Sequence, residues 1–523
     1  MRIFLFAICG LVLLLLPVCR SVSDDVGVPD REPLTVAETP STAQSADGRY
    51  ISWVEHRVDD EGINGGVPIR GGDGLKMADL DQDGYADIVS VHEDSDHVRL
   101  AFGSADPDTW DLVTLASGSD VNAVEDVAVG DLNGDGWPDL VFACERGHLI
   151  YFQNPGKTAR SSAWRYHIPH VTQGRGSWLR TFLADLDGDG KLEVLAANKG
   201  GVDIVDVQGG ERASGPVSAF YIQGPPLEEE AWQEVVLFEQ GPANNALPVD
   251  INGDGHVDVL VADRQANRTF ILRNSGKGTR PAMTPVEIKI AAPEGNPAGW
   301  KGMTNAFQAA LLDLNQDGRT DIAVNVIERT PSSQSASFGW LAQPSAQSGS
   351  WVYHRIGDIL PDWVTGFVFA DIDGDGDQDV IVGGYSGLNI LAGAYSGASR
   401  DYDDPAVTTA DSTGRIAWFQ NPGDPAGIWK RHDISRRVRG MYDEFIPRDM
   451  DGDGDVDFAA TRGNSGNYDG VFWLEQTRTV QAERAFTPAR QSESKALPLP
   501  PDNWLELYTH AVTMQAPNEN EEK

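Results

Sequence analysis

Nine residues, Asp371-Ile372-Asp373-Gly374-Asp375-Gly376-Asp377-Gln378-Asp379, place carboxylates at positions 1, 3, 5 and 9 around a glycine at position 6. Glycine there permits a sharp turn, because it has no Cβ to forbid positive φ. Oxygens at those spacings can converge on one hard cation. Calcium takes six to eight oxygens in a flexible cage, so the chemistry read from this stretch is calcium binding. The chain carries the pattern seven times. The candidate ligands are Asp79, Asp81, Asp83 and Asp87; Asp131, Asn133, Asp135 and Asp139; Asp185, Asp187, Asp189 and Glu193; Asp250, Asn252, Asp254 and Asp258; Asp313, Asn315, Asp317 and Asp321; Asp371, Asp373, Asp375 and Asp379; and Asp449, Asp451, Asp453 and Asp457. Position 9 is Asp except at Glu193, whose longer arm is expected to shift the geometry. Acidic turns without metal are the alternative, and seven matches to so constrained a pattern weigh against it.

Successive loops start 52, 54, 65, 63, 58 and 78 residues apart. A unit of that size repeated seven times suggests an array or a propeller. The pattern between loops favours the propeller. A short apolar run precedes each loop (Val127-Ala128-Val129, Phe367-Val368-Phe369-Ala370) and another follows (Val259-Leu260-Val261, Val380-Ile381-Val382). A third run ends in an aromatic and an Asn-Pro-Gly turn, at Ile150 to Gly156 and Ala417 to Gly423. A fourth carries Trp-x-x-His: Trp164 to His167, Trp351 to His354 and Trp429 to His432. Four short strands rich in β-branched and aromatic residues make a blade. The predicted fold is all-β, a seven-bladed β-propeller with a DxDxDGxxD loop in each blade, a ring that leaves few open sheet edges.

The net charge of −38 over 523 residues is concentrated in these loops. Four of them hold four acids at ligand positions and three hold three, 25 in all, and seven calcium ions would return +14 to leave −24. Without metal, each loop crowds three or four mutually repelling carboxylates, so stability is expected to depend on calcium. So acidic a chain is a poor partner for nucleic acid.

Residues 1–23, with Arg2 before the apolar run Ile3 to Leu16, read as a signal peptide, too short an apolar run for a transmembrane span. Leu16-Pro17-Val18-Cys19 marks Cys19 as a candidate lipid anchor; ordinary cleavage between Arg20 and Asp24 is the alternative. Residues 24–46 read as a flexible leader, 47–476 as the propeller and 477–523 as a partly disordered extension. With Cys9 removed, Cys144 is the one certain cysteine of the mature chain, so no disulfide within the chain is expected. Trp53 to His56 is a Trp-x-x-His strand with no loop before it, and the blade around Asp449 lacks a fourth strand. The N-terminal strand is therefore assigned to complete that blade, with Trp504 to His510 as its rival. The recurrence of Trp-x-x-His in outer strands reads as packing.

These elements resemble the FG-GAP or VCBS repeat propellers, which include the integrin α-subunit head and the propeller part of aldos-2-ulose dehydratase. Phe102-Gly103-Ser104-Ala105-Asp106-Pro107 approximates the FG-GAP sequence, and the likeness spans about residues 50 to 476. The resemblance implies calcium between the first and second strands on one face and ligands on the other, but no activity, since propellers host many. On that opposite face the second-to-third connections repeat a cation: Arg146, Lys199, Arg264, Arg329 and Arg462. They read either as partners of nearby carboxylates or as a partial ring that captures an anionic ligand, since arginine binds carboxylate and sulfate in a bidentate way. Trp178, Trp363 and Tyr442 in the fourth-to-first connections are the aromatic candidates for stacking on sugar. An insertion in the sixth blade, Tyr385 to Thr413, is long enough to be functional.

The reading is a secreted, periplasmic or cell-surface, monomeric propeller that uses Ca2+ structurally and binds an extracellular glycan or protein. A lyase or dehydratase acting on an acidic or oxidised sugar, with a Tyr or His as base, is the first alternative, and a non-catalytic scaffold the second.

Overall fold

The computed structural model describes residues 34–201, 214–293, 295–296, 298–331, 334–346, 349–386 and 413–500. Seven sheets, each of four or more strands, form the seven blades of an all-β propeller. Blade 1 is Gly72–Ala78, Asp87–His92, His97–Phe102 and Asp111–Ser117. Blade 2 is Val124–Gly130, Asp139–Cys144, Leu149–Gln153 and Arg165–His167. Blade 3 is Trp178–Ala184, Glu193–Asn198, Val217–Ile222 and Trp232–Phe238, and blade 4 is Ala243–Val249, Asp258–Asp263, Arg268–Asn274 and Met283–Glu287. Blade 5 has a divided first strand (Lys301–Met303 and Ala309–Leu312), then Asp321–Arg329, Gln334–Ala342 and Trp351–Gly357, with Ile290–Ala291 added in parallel at its edge. Blade 6 is Trp363–Ala370, Asp379–Ser386, Thr413–Gln420 and Lys430–Val438.

Blade 7 begins with Phe445–Arg448, Asp457–Arg462 and Gly470–Thr479, and its fourth strand is the N-terminal Tyr50–Asp60, antiparallel to Gly470–Thr479. The N-terminal strand therefore closes the ring; Trp504 to His510 lies outside the described residues, as do the signal segment with Cys19 and nearly all of the blade 6 insertion. Phe486–Thr487 then adds in parallel to Tyr50–Asp60 and covers the outer edge.

In four of the blades the Trp-x-x-His motif marks the fourth strand, and its histidine pairs in register with an aromatic of the third strand. His56 stacks on Trp473, His354 on Trp340 and His432 on Trp418, with ring centroids 4.2, 4.4 and 4.5 Å apart. His167 stands opposite Tyr151. Trp53, Trp164, Trp351 and Trp429 are buried, so the motif packs the blade. Hydrophobic clusters fill the spaces between neighbouring blades, for example Leu132, Val141, Tyr151, Trp178 and Phe220 between blades 2 and 3.

The segments on either side of the propeller are more ordered than their composition suggests. From residue 34 the leader packs onto blade 7: Val36 and Ala43 are buried, and the backbone N–H of Ile51 donates to Ala43. The third strand of blade 7 runs to Thr479, past the expected boundary at 476, and the chain beyond it stays bound to the body. Glu493 lies between Arg462 at 2.9 Å and Arg437 at 3.3 Å, and Arg437 also bonds Glu55 at 2.8 Å. No helix among the described residues is long and apolar enough to cross a membrane.

Candidate functional site

Each acidic loop joins the first strand of a blade to the second, and its ninth residue is the first residue of the second strand in all seven blades. The first aspartate shapes the turn: in blade 1, Asp79 accepts the backbone N–H of Asp83 through Oδ1 and of Gly84 through Oδ2, each at 3.0 Å. Gly84 has φ 95°, a conformation that side chains with a Cβ resist. The ninth residue anchors the loop from below. Asp87 accepts Leu80 N–H at 2.7 Å and Gly103 N–H at 2.9 Å. Asp139, Asp321, Asp379 and Asp457 repeat both contacts with the equivalent residues of their own blades. Glu193 keeps the first of them, accepting Leu186 N–H at 2.7 Å, so its longer arm does not displace the loop.

A second contact joins four of the loops to the next blade. The amide of Asn154, at the end of blade 2's third strand, donates to Leu80 of blade 1's loop at 2.9 Å. Asn274, Gln343 and Gln476 make the same reach to Leu186, Ile251 and Ile372. The loops therefore sit on the seams of the ring.

Carboxylate oxygens of Asp79, Asp81 and Asp87 come within 4.8 Å of one another, as do those of Asp185, Asp187 and Glu193, of Asp371, Asp373 and Asp379, and of Asp449, Asp451 and Asp453. An all-oxygen set of this kind suits a hard cation. Burial, followed by the neighbouring loop carboxylates, raises the ninth acid: Asp87, Asp139 and Asp321 to about 6, Glu193 and Asp457 to about 7, and Asp379 to about 8. In blade 1, Arg160 of blade 2 forms ion pairs with Asp81 and Asp83.

The opposite face is formed by the second-to-third and fourth-to-first connections, and the first strands of neighbouring blades touch around the channel. The five predicted cations do emerge there, but not as a uniform ring. Lys199 is buried and paired with Glu145 of blade 2, and Arg462 is buried against Glu493. Arg264 is half-buried over the Phe307 ring, 5.9 Å from its centroid. Arg146 and Arg329 are exposed. Trp178 and Tyr442 have no exposed surface and cannot stack on a sugar; both belong to the core between blades. Trp363 is half-buried, and its indole N–H is buried without a hydrogen-bond partner.

What the sequence reading passed over lies five and six residues before the loops: Asp73, Glu125, Asp126, Asn244, Asn245, Gln308 and Asp443, alongside Arg180 and Glu444. The strand register shifts at this level in five first strands, as between Val124 and Asp126, which re-aims the side chains. They meet at the mouth of the channel. Lys76 bonds Glu444 at 2.8 Å, Arg180 lies 4.0 Å from Asp126 and over Phe307 at 4.9 Å, and the Gln308 amide reaches the Asp443 carbonyl at 3.0 Å. A charged or amide residue five or six positions before six of the seven loops is a signal that the sequence contains.

Fold and site together define a seven-bladed propeller with acidic loops on one face and a charged channel mouth on the other. The FG-GAP-like repeat family matches at residues 79–142, 131–196, 250–324 and 313–382, each match starting at an acidic loop. The chain is thus a β-propeller of the FG-GAP repeat family. No curated protein matches it. Among solved structures it is similar to a chain in a crystal structure of BBS1N in complex with ARL6DN, soaked with lead, with a TM-score of 0.41 and 11% sequence identity over 84% of this chain and 100% of that one.

Proposed function

We propose that this protein is a secreted or cell-surface binding propeller, clipped by calcium in its acidic loops, that takes a carbohydrate or protein ligand on the face opposite them. The observation that carries this reading is the division of labour between the two faces. The loop carboxylates hold turns and seams, with buried oxygens of Asp81 and Asp455 left over on the loop side, whereas the opposite mouth gathers acids and cations from several blades around the channel. There Asp73 and Asp443 each hold a buried carboxylate oxygen without a partner, and Arg146, near Glu93, is exposed in the connection of blade 2. FG-GAP repeats are typical of extracellular proteins. An anionic glycan would meet Arg146 and Arg329, and a ligand carrying donors would meet the acids.

An enzyme, a lyase or dehydratase, keeps one support at the same mouth. Burial and Glu125 raise Glu93 well above the usual carboxylate range, which suits a general acid. The test is a panel of acidic and neutral glycans read both by binding and by absorbance from new double bonds. Binding without turnover, weakened in Arg146→Ala, supports the binding propeller. Turnover supports the enzyme, and silence across the panel leaves a scaffold.

A further inference from the structure

At the channel mouth, three carboxylates from two blades converge: oxygens of Asp73, Glu93 and Glu125 lie within 4.8 Å of one another. Asp73 and Glu125 sit at the starts of the first strands of blades 1 and 2, and Glu93 follows the second strand of blade 1. Gly74 lets these strands close up, since a Cβ there would stand 3.0 Å from the Glu125 carbonyl. Blade 7 adds Asp443. Its carboxyl faces that of Asp73 closely enough to share a hydrogen bond, but two ionised carboxylates have no donor between them and need a proton or a cation there. Asp73 Oδ2 and Asp443 Oδ1 are buried with no partner, in residues 6% and 7% exposed. Unpaired buried carboxylates are too costly to leave so. A proton would satisfy one facing pair, but four carboxyls ask for more positive charge than that. Three of the nearby cations are already engaged, Lys76 with Glu444, Arg180 with Asp126 and Lys199 with Glu145, and the fourth, Arg146 near Glu93, is exposed to solvent.

We propose that Asp73, Glu93, Glu125 and Asp443 bind one hard divalent cation at the channel mouth, an eighth site on the face opposite the seven loops. An all-oxygen, all-carboxylate set selects calcium, magnesium or manganese over softer metals. The ion joins blades 7, 1 and 2, the part of the ring where the chain ends meet. Glu93 is half-buried, so the ion keeps one side open to an oxygen of an incoming ligand. The inference needs neither a glycan nor metal in the loops.

The test is anomalous diffraction from crystals of the full chain in about 10 mM Mn2+, roughly tenfold above the weakest affinities of extracellular calcium modules. A manganese peak enclosed by Asp73, Glu93 and Glu125 is expected. Its absence at that concentration, whatever the loops show, overturns the proposal and leaves shared protons as the neutralising charge. In Glu125→Gln the peak should be lost while any peaks at the loops stay, which also shows that the variant folds. A peak that persists undiminished in that variant overturns the assigned ligands. Peaks at the loops report separately on the calcium reading.

Discussion

His56 of the N-terminal strand lies flat on Trp473 of the last blade, with ring centroids 4.2 Å apart and planes 17° from parallel. The two residues are opposite one another in register, and 417 positions separate them in the chain. The contact fastens the beginning of the propeller to its end. Trp53, two percent exposed on the same strand, fills the core between blades 6 and 7. Trp53→Ala should cost about 3–5 kcal/mol, the range for deleting a buried aromatic, and removal of Ile51 to Val58 should abolish cooperative melting. A deletion variant that melts like the parent would show that another segment closes the ring.

The C-terminal segment acts as a latch. Glu493 is held between Arg437, Arg462 and Arg490, and these cations keep its carboxyl at about 2 against the opposing effect of burial. Glu493→Ala leaves Arg437 and Arg462 buried with reduced compensation, for which a loss of about 3–5 kcal/mol is expected. Because the folded value is depressed, the stability Glu493 adds is present above the ordinary glutamate range and lost as pH falls toward 2. Chemical denaturation of the variant at pH 7 tests this; an unchanged midpoint would rule the latch out.

Lys199 and Arg146 occupy the same place in successive blades but should behave differently. Lys199→Ala strands the buried carboxylate of Glu145 and should destabilise the protein by about 3–5 kcal/mol. Arg146→Ala removes an exposed side chain and should stay within about 0.5 kcal/mol. Parallel thermal melts separate the cation that holds the fold from the one available to a ligand. Equal effects would contradict the distinction.

The ninth loop acids set a pH dependence in protein stripped of metal. Their folded values are raised, by burial first and neighbouring carboxylates second, to about 6 at Asp87, Asp139 and Asp321, about 7 at Glu193 and Asp457, and about 8 at Asp379. A raised acid gives stability that is whole below the usual carboxylate range and is lost as pH climbs through the folded value. Metal-free protein should therefore melt lower at pH 8 than at pH 5, and the gap to calcium-loaded protein should widen over that interval. A metal-free melting temperature that is flat or rising with pH would count against crowded carboxylates.

The loops, the blades and the closing strand could be read from the chain because each is written locally. Asp and Gly at fixed spacing define a turn, and Trp-x-x-His marks an outer strand wherever it falls. The latch could not be read this way. Glu493 lies in a polar, proline-bearing stretch, and its role comes from Arg437 and Arg462, which only the closed ring brings to it. Trp178 and Tyr442 were misplaced for the reverse reason: a connection in sequence is not a surface in space, and both side chains turn into the space between blades. The polar residues at the channel mouth stand five or six positions before six of the loops, masked by the apolar run in which they sit.

The central claim is that calcium in the loops holds the seams of the ring. Melting the full chain at pH 7.5 in about 1 mM calcium and again after chelation tests it most directly. With a Kd of about 10⁻⁴ M per site, each ion adds ~1.4 kcal/mol under those conditions. Seven sites together predict a fall on the order of 10 °C on chelation, restored when calcium is returned. Identical melting curves with and without calcium would contradict the account.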